Sequence, residues 1–126
     1  MTRSPSATGA PRLERLRKRS EFKAAAKGRR VNRPGLALQM APGEPGAGPR
    51  FGFTVTRKVG NAVVRNRIRR RLREAVRVGA LQKARPGTNY VVIGREAALT
   101  RPFTELVADL EAGLAALAGT PGRRDG

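Results

Sequence analysis

The sequence predicts a single mixed α/β domain with its elements in the order αββαβα. Three observations lead there. The segment Phe51-Gly52-Phe53-Thr54-Val55-Thr56 alternates apolar residues with Gly and Thr, the period of a strand with one buried face. From Asn61 to about Val78 the period changes to that of a helix. And 126 residues with 39% apolar content can bury one modest core and no more.

Residues 1–11 are Ser, Thr, Ala, Gly and Pro with one Arg, a composition too poor in apolar groups to offset ordering entropy, and they are expected to form a disordered tail. Residues 12–33 carry ten basic side chains. Within them Ser20 suits a helix N-cap, Glu21 to Lys27 a short helix, and Gly28 its C′ position. Leu36-Ala37-Leu38-Gln39-Met40 is a short apolar run ended by Pro42, and Pro42 to Pro49 is rich in Gly and Pro, so a strand and then a mobile loop are expected. The second strand is the alternating segment from Phe51.

In the long helix that starts after Gly60, the residues Val64, Ile68, Leu72, Ala75 and Val76 share one arc. Thr88 to Ile93 reads as a buried strand between Pro86-Gly87 and Gly94. A closing helix from about Pro102 is marked by Phe103, Leu106, Val107, Leu110, Leu114 and Leu117. It carries Glu105, Asp109 and Glu111 and no Lys or Arg, which marks it as a packing helix rather than a binding one. Residues 119–126 return to Gly, Pro and Arg and are expected to fray, leaving a domain over residues 12–118.

Charge narrows the function. Lys and Arg number 27 against 9 acids, a formal net charge of +18, which calls for a polyanion to neutralise it. No stretch of about eighteen apolar residues spans a bilayer and no apolar N-terminal segment resembles a secretory signal, so a cytoplasmic protein without a membrane partner is expected. The chain has neither His nor Cys, which removes the commonest general base and the thiol nucleophile and argues against catalysis by the protein itself. With one Tyr, four Phe and no Trp, an aromatic platform for stacked bases is not available.

The segment from Lys58 to Arg73 holds most of the information. At about 100° per residue, Arg73, Asn66, Arg77 and Arg70 fall in a sector of roughly 60° directly opposite the apolar arc. Arg67 and Arg71 flank the arc on one side, and Arg65 and Arg69 lie towards the other. Eight arginines and one lysine stand between residues 57 and 77. Guanidinium is the group for this role, because its planar fork meets phosphate bidentately and stacks on bases. A solvated helix face normally mixes signs, and a membrane-binding helix normally shows aromatic residues on its apolar arc, so RNA contact is the reading that accounts for both features. An autonomous ribonuclease would need an acid/base pair or a carboxylate cluster that the scattered acids do not supply. A general RNA-binding or ribosomal protein remains open on charge alone.

The run Gly60-Asn61-Ala62-Val63-Val64-Arg65-Asn66-Arg67-Ile68-Arg69-Arg70, preceded by Phe53-Thr54-Val55-Thr56-Arg57-Lys58, resembles the Arg-Asn-Arg signature of the bacterial ribonuclease P protein family. The similarity extends from Leu16 and Ser20-Glu21-Phe22-Lys23 to Tyr90-Val91-Val92-Ile93 and the last helix. The resemblance implies an α+β two-layer sandwich like those of ribosomal-protein domains, with a left-handed βαβ crossover where the usual rule is right-handed. It also implies a subunit that binds a catalytic RNA and the 5′ leader of precursor tRNA, while magnesium held mainly by the RNA performs hydrolysis and no organic cofactor takes part. Carried onto this chain, Lys58, Asn61, Arg65, Asn66, Arg67, Arg69, Arg70 and Arg73 are the implied RNA-binding residues, and Phe22, Lys23, Phe53 and Val55 the implied leader cleft. The chain departs from the family at Ala26 and Leu38, where aromatic residues are common, and at Gly35 in the first strand.

Overall fold

The computed structural model describes residues 13–119; the tails expected over residues 1–11 and 119–126 lie outside them, except that Gly119 ends the last helix. Its elements are β1 (Glu14–Arg15), α1 (Arg19–Ala26), β2 (Arg29–Arg33), β3 (Leu36–Pro42), β4 (Arg50–Val55), α2 (Ala62–Ala75), β5 (Thr88–Gly94) and α3 (Phe103–Gly119). The strands form one mixed sheet in the order β1-β4-β5-β3-β2. β1, β4 and β5 run parallel, and β3 pairs antiparallel with both β5 and β2.

The αββαβα order holds for every element it contains, and two edge strands are added. β1 is only two residues long and shows no period. β2, Arg29-Arg30-Val31-Asn32-Arg33, holds a single apolar residue; charged residues suit an edge strand because they discourage further pairing, and they hide its period. The start of α1 also differs from expectation. Lys18 is its N-cap, Ser20 lies inside the first turn, and the Glu21 carboxylate accepts the backbone amides of Lys18 at 3.1 Å and Arg17 at 3.3 Å. Gly28 follows the helix as expected, but what it provides is close approach: a Cβ there would stand 2.0 Å from the Met40 carbonyl oxygen.

The sheet buries both faces unequally. On one face α2 and α3 cover Leu36, Leu38, Phe51, Val55, Tyr90 and Val92, and Ile68 and Leu72 of α2 meet Leu106, Leu110, Leu114 and Leu117 of α3 in the same cluster. On the other face the shorter α1 makes a smaller cluster of Leu16, Ala25, Ala41 and Val91, with Phe22 and Ile93 packed against it. α2 ends at Ala75, earlier than the period suggests, and a π turn over Val76–Ala80 continues it. That turn lies against α3 at Gly79, where a Cβ would come within 2.4 Å of Val107 Cγ1.

Candidate nucleic-acid interface

α2 connects the parallel strands β4 and β5, and its first turn is set by a Gly-Asn pair. Asn61 Oδ1 accepts the Val64 amide at 3.0 Å, satisfying one of the helix's free N–H groups. Arg65 Nε donates to the Gly60 carbonyl at 3.1 Å. Asn61 is therefore a cap, and only its amide nitrogen remains to meet a ligand.

Beyond this turn the arginines divide by function. Lys58, Asn61, Asn66, Arg67 and Arg70 are exposed, and Arg65, Arg69 and Arg73 are half-buried. Arg69 donates to Asn66 Oδ1 at 2.6 Å, which orients both side chains along the helix. Among the described residues, Lys58, Arg67, Arg70 and Arg73 have neither an ion pair nor a side-chain hydrogen bond. Glu74, the one acid of α2, is held by Arg77 instead, and the hydrogen bond from that guanidinium keeps its carboxyl below the usual carboxylate range. Arg67 and Arg70 are left as exposed positive charges on the helix.

Arg71 is the exception within the same run. It turns away from the row and donates to the carbonyls of Ala98 at 2.5 Å and Arg101 at 2.7 Å, tying α2 to the turn that precedes α3.

The four residues implied for the leader cleft do not come together. Phe22 lies on the α1 face, where its ring fills the space above Gly52; a Cβ at Gly52 would be 2.5 Å from Phe22 Cε1. Lys23 is exposed on α1 beside it. Phe53 and Val55 point to the opposite face and pack in the α2/α3 core, with Phe51 stacked between Phe53 at 6.4 Å and Tyr90 at 5.1 Å. Strand alternation forces this separation, since residues 51, 53 and 55 share one face and Gly52 and Thr54 the other. Leu38 is likewise fully buried on the α3 side and Ala26 is exposed. The sheet residue beneath Phe22 is Gly52, whose partner across β4 and β5 is the buried Val91.

No group of three or more His, Cys, Asp or Glu among the described residues could hold a metal ion, and no described helix is long and apolar enough to cross a membrane.

Comparison with known proteins identifies the family. The family model described as Ribonuclease P matches residues 10–118. The ribonuclease P protein component of Gluconacetobacter diazotrophicus is 54% identical over 102 residues, covering 80% of this chain and 88% of that protein. That of Paramagnetospirillum magneticum is 50% identical over 110 residues, covering 83% of each. Among solved structures, the RNase P protein of Thermotoga maritima superimposes with a TM-score of 0.69 at 26% identity, covering 82% of this chain and 96% of that one. The Staphylococcus aureus RNase P protein gives 0.68 at 25% identity, covering 84% and 96%. By sequence over nearly its whole length, and by the fold that carries the basic helix, this chain belongs to the ribonuclease P protein family.

Proposed function

We propose that the chain serves as the protein subunit of a ribonuclease P ribonucleoprotein in the cytoplasm. In this role it binds the catalytic RNA through α2 and the 5′ leader of precursor tRNA through the surface beside Phe22, helping the complex remove the leader. The observation that carries the reading is the two exposed guanidinium groups of Arg67 and Arg70, with neither an ion pair nor a side-chain hydrogen bond, on one helix. Arginines left without acids on a rigid scaffold suit a phosphate backbone, which neutralises them and releases counterions as it binds. Lys58, Arg65, Asn66 and Arg69 extend the same surface. Bond cleavage is assigned to magnesium ions held mainly by the RNA, and the protein contributes affinity and position.

The leader surface is assigned to Phe22 and Lys23 of α1, with Gly52 of the sheet beneath the ring. One aromatic ring and a cation can hold a single strand by stacking and charge, and a stacked base is worth roughly 1–3 kcal/mol.

The test uses the full chain with and without a ribonuclease P RNA, and precursor tRNAs with a five-nucleotide leader or none, at fixed salt and magnesium. The chain alone is expected to cleave neither substrate, and the reconstituted complex to favour the one with a leader. Phe22→Ala should reduce that preference. Magnesium-dependent cleavage by RNA-free protein overturns the subunit reading, and an equal loss on both substrates assigns Phe22 to structure alone.

A further inference from the structure

At the end of the sheet where β3 finishes and β5 begins, a pocket of about 390 Å³ is lined by none of the residues assigned to the two surfaces described above. Its walls are mostly apolar, from Met40, Ala41 and Pro42 of β3 on one side and Gly87 and Thr88 on the other. Two arginines, Arg29 and Arg85, stand among its lining residues. We propose that this pocket binds one unpaired nucleotide of an RNA strand, with the base against the apolar walls and the adjoining phosphates on Arg29 and Arg85. The proposal rests on the RNA-binding reading and extends it to a site that the basic helix does not reach.

The pocket is built by backbone, so its shape exists before any ligand arrives. Gly28 brings the end of α1 against the Met40 carbonyl, where any side chain would collide. Gly87 adopts a left-handed φ of 68°, which favours glycine, and it is pinned on both sides. Its amide donates to the Ala47 carbonyl at 2.7 Å and its carbonyl accepts the Gly43 amide at 2.8 Å. The Arg85 amide donates to the Tyr90 hydroxyl at 3.0 Å, which holds the chain at that point while leaving the guanidinium free.

Charge and shape together select the ligand. Among the described residues, the side chains of Arg29 and Arg85 have no acid or hydrogen-bond partner, and Glu44 on the neighbouring loop is engaged by Arg50 at 3.5 Å. An apolar slot alone would suit any flat hydrophobic group, and two arginines alone would suit any anion. A nucleotide presents both at once, a flat apolar base face and a phosphate on each side. The pocket lies at the opposite end of the sheet from the first turn of α2, because Val55, Gly94 and Leu36 are neighbours there and β3 spans seven residues, roughly 20 Å, from that end to Pro42.

Backbone amide shifts of the full chain, followed by NMR during titration with uridine and adenosine pentamers, test this directly. A pentamer of the same phosphates without bases serves as the control. Saturable shifts at Gly43, Gly87 and Thr88 are expected with the pentamers that carry bases and not with the abasic one. The double variant Arg29→Ala/Arg85→Ala should weaken those shifts' affinity about tenfold, as two charge-assisted contacts are lost at exposed positions. Equal response to the abasic strand overturns the base pocket and leaves only a phosphate site. Shifts confined to α2 and the Phe22 surface overturn the pocket while RNA binding stands, and no shift anywhere removes the RNA-binding reading as well. A response to an acidic phenylalanine-bearing peptide but to no pentamer makes the occupant a protein and likewise overturns the proposal.

Discussion

α2 and α3 lie on the same face of the sheet and share one apolar cluster, yet they handle charge in opposite ways. α3 carries three acids and no base, and all three are matched: Asp109 and Glu105 by Arg101 at 2.7 and 3.2 Å, and Glu111 by Lys83 at 3.5 Å. α2 carries six arginines and a single acid, and that acid is taken by Arg77. A fold optimised for its own stability would set the acids of α3 against the arginines of α2, since the helices are neighbours. Instead the acids of α3 are matched by Arg101 and Lys83, and among the described residues no arginine of α2 is in an ion pair. The difference separates a helix whose charges are neutralised within the domain from one whose charges are not, as the proposed RNA contact requires.

The largest expected effect separates the two helices outright. Leu110 of α3 is fully buried, and Leu110→Ala should lower stability by about 2–5 kcal/mol through lost burial and the cavity left behind. Arg67→Ala should change stability by no more than about 0.5 kcal/mol, while RNA affinity falls by about 1–3 kcal/mol. Chemical denaturation and RNA titration of the two variants side by side check this. A matching loss of stability in Arg67→Ala would break the division.

A smaller and sharper contrast lies within α2, between adjacent arginines. Arg70 is exposed without a partner, whereas Arg71 donates to two carbonyls ahead of α3. Arg71→Ala leaves those acceptors without their charged donor and should cost about 1–3 kcal/mol of stability. Arg70→Ala should leave the unfolding midpoint where it is and weaken RNA binding. If both variants lose the same affinity at unchanged stability, Arg71 belongs to the binding row and its inward contacts are incidental.

That pair also shows how much the sequence discloses. Period and capping residues were enough to locate β4, α2, β5 and α3, because each has a strong apolar repeat and clear boundaries. The outward row of Arg70 and Arg73 followed from the same arc. Arg71 was not distinguishable from them, since on the wheel it only flanks the apolar stripe, and its acceptors lie more than 25 residues away in the chain. β2 was hidden because one valine among arginines makes no period. Phe53 and Val55 were grouped with Phe22 although the pleat sends them to the other face; the pairing of Phe22 with Gly52 becomes visible only when α1 is packed on the sheet. The pocket at the end of β3 arises from backbone contacts between distant glycines, which no local pattern encodes.

The last and smallest effect turns on how α1 and α2 are anchored at their N-termini. α2 is capped by the neutral Asn61 and has no acid in its first turn, whereas α1 depends on the Glu21 carboxylate. The amide of Lys18 above all, with that of Arg17 and the charge of Arg50, holds Glu21 below its ordinary value. A carboxylate whose folded pKa is depressed contributes stability that is present above its unfolded pKa and lost as pH falls through the lower folded value. Glu21→Gln should therefore be less stable than the wild type at neutral pH, and the gap should close on acidification below the ordinary glutamate range. Asn61→Ala should show a deficit that does not depend on pH, because its cap does not titrate. Unfolding midpoints of the three proteins between pH 7 and pH 3 decide it. A Glu21→Gln gap that persists unchanged at pH 3 would mean that α1 is held by packing of Phe22 and Ala25, and that the two helices are anchored alike.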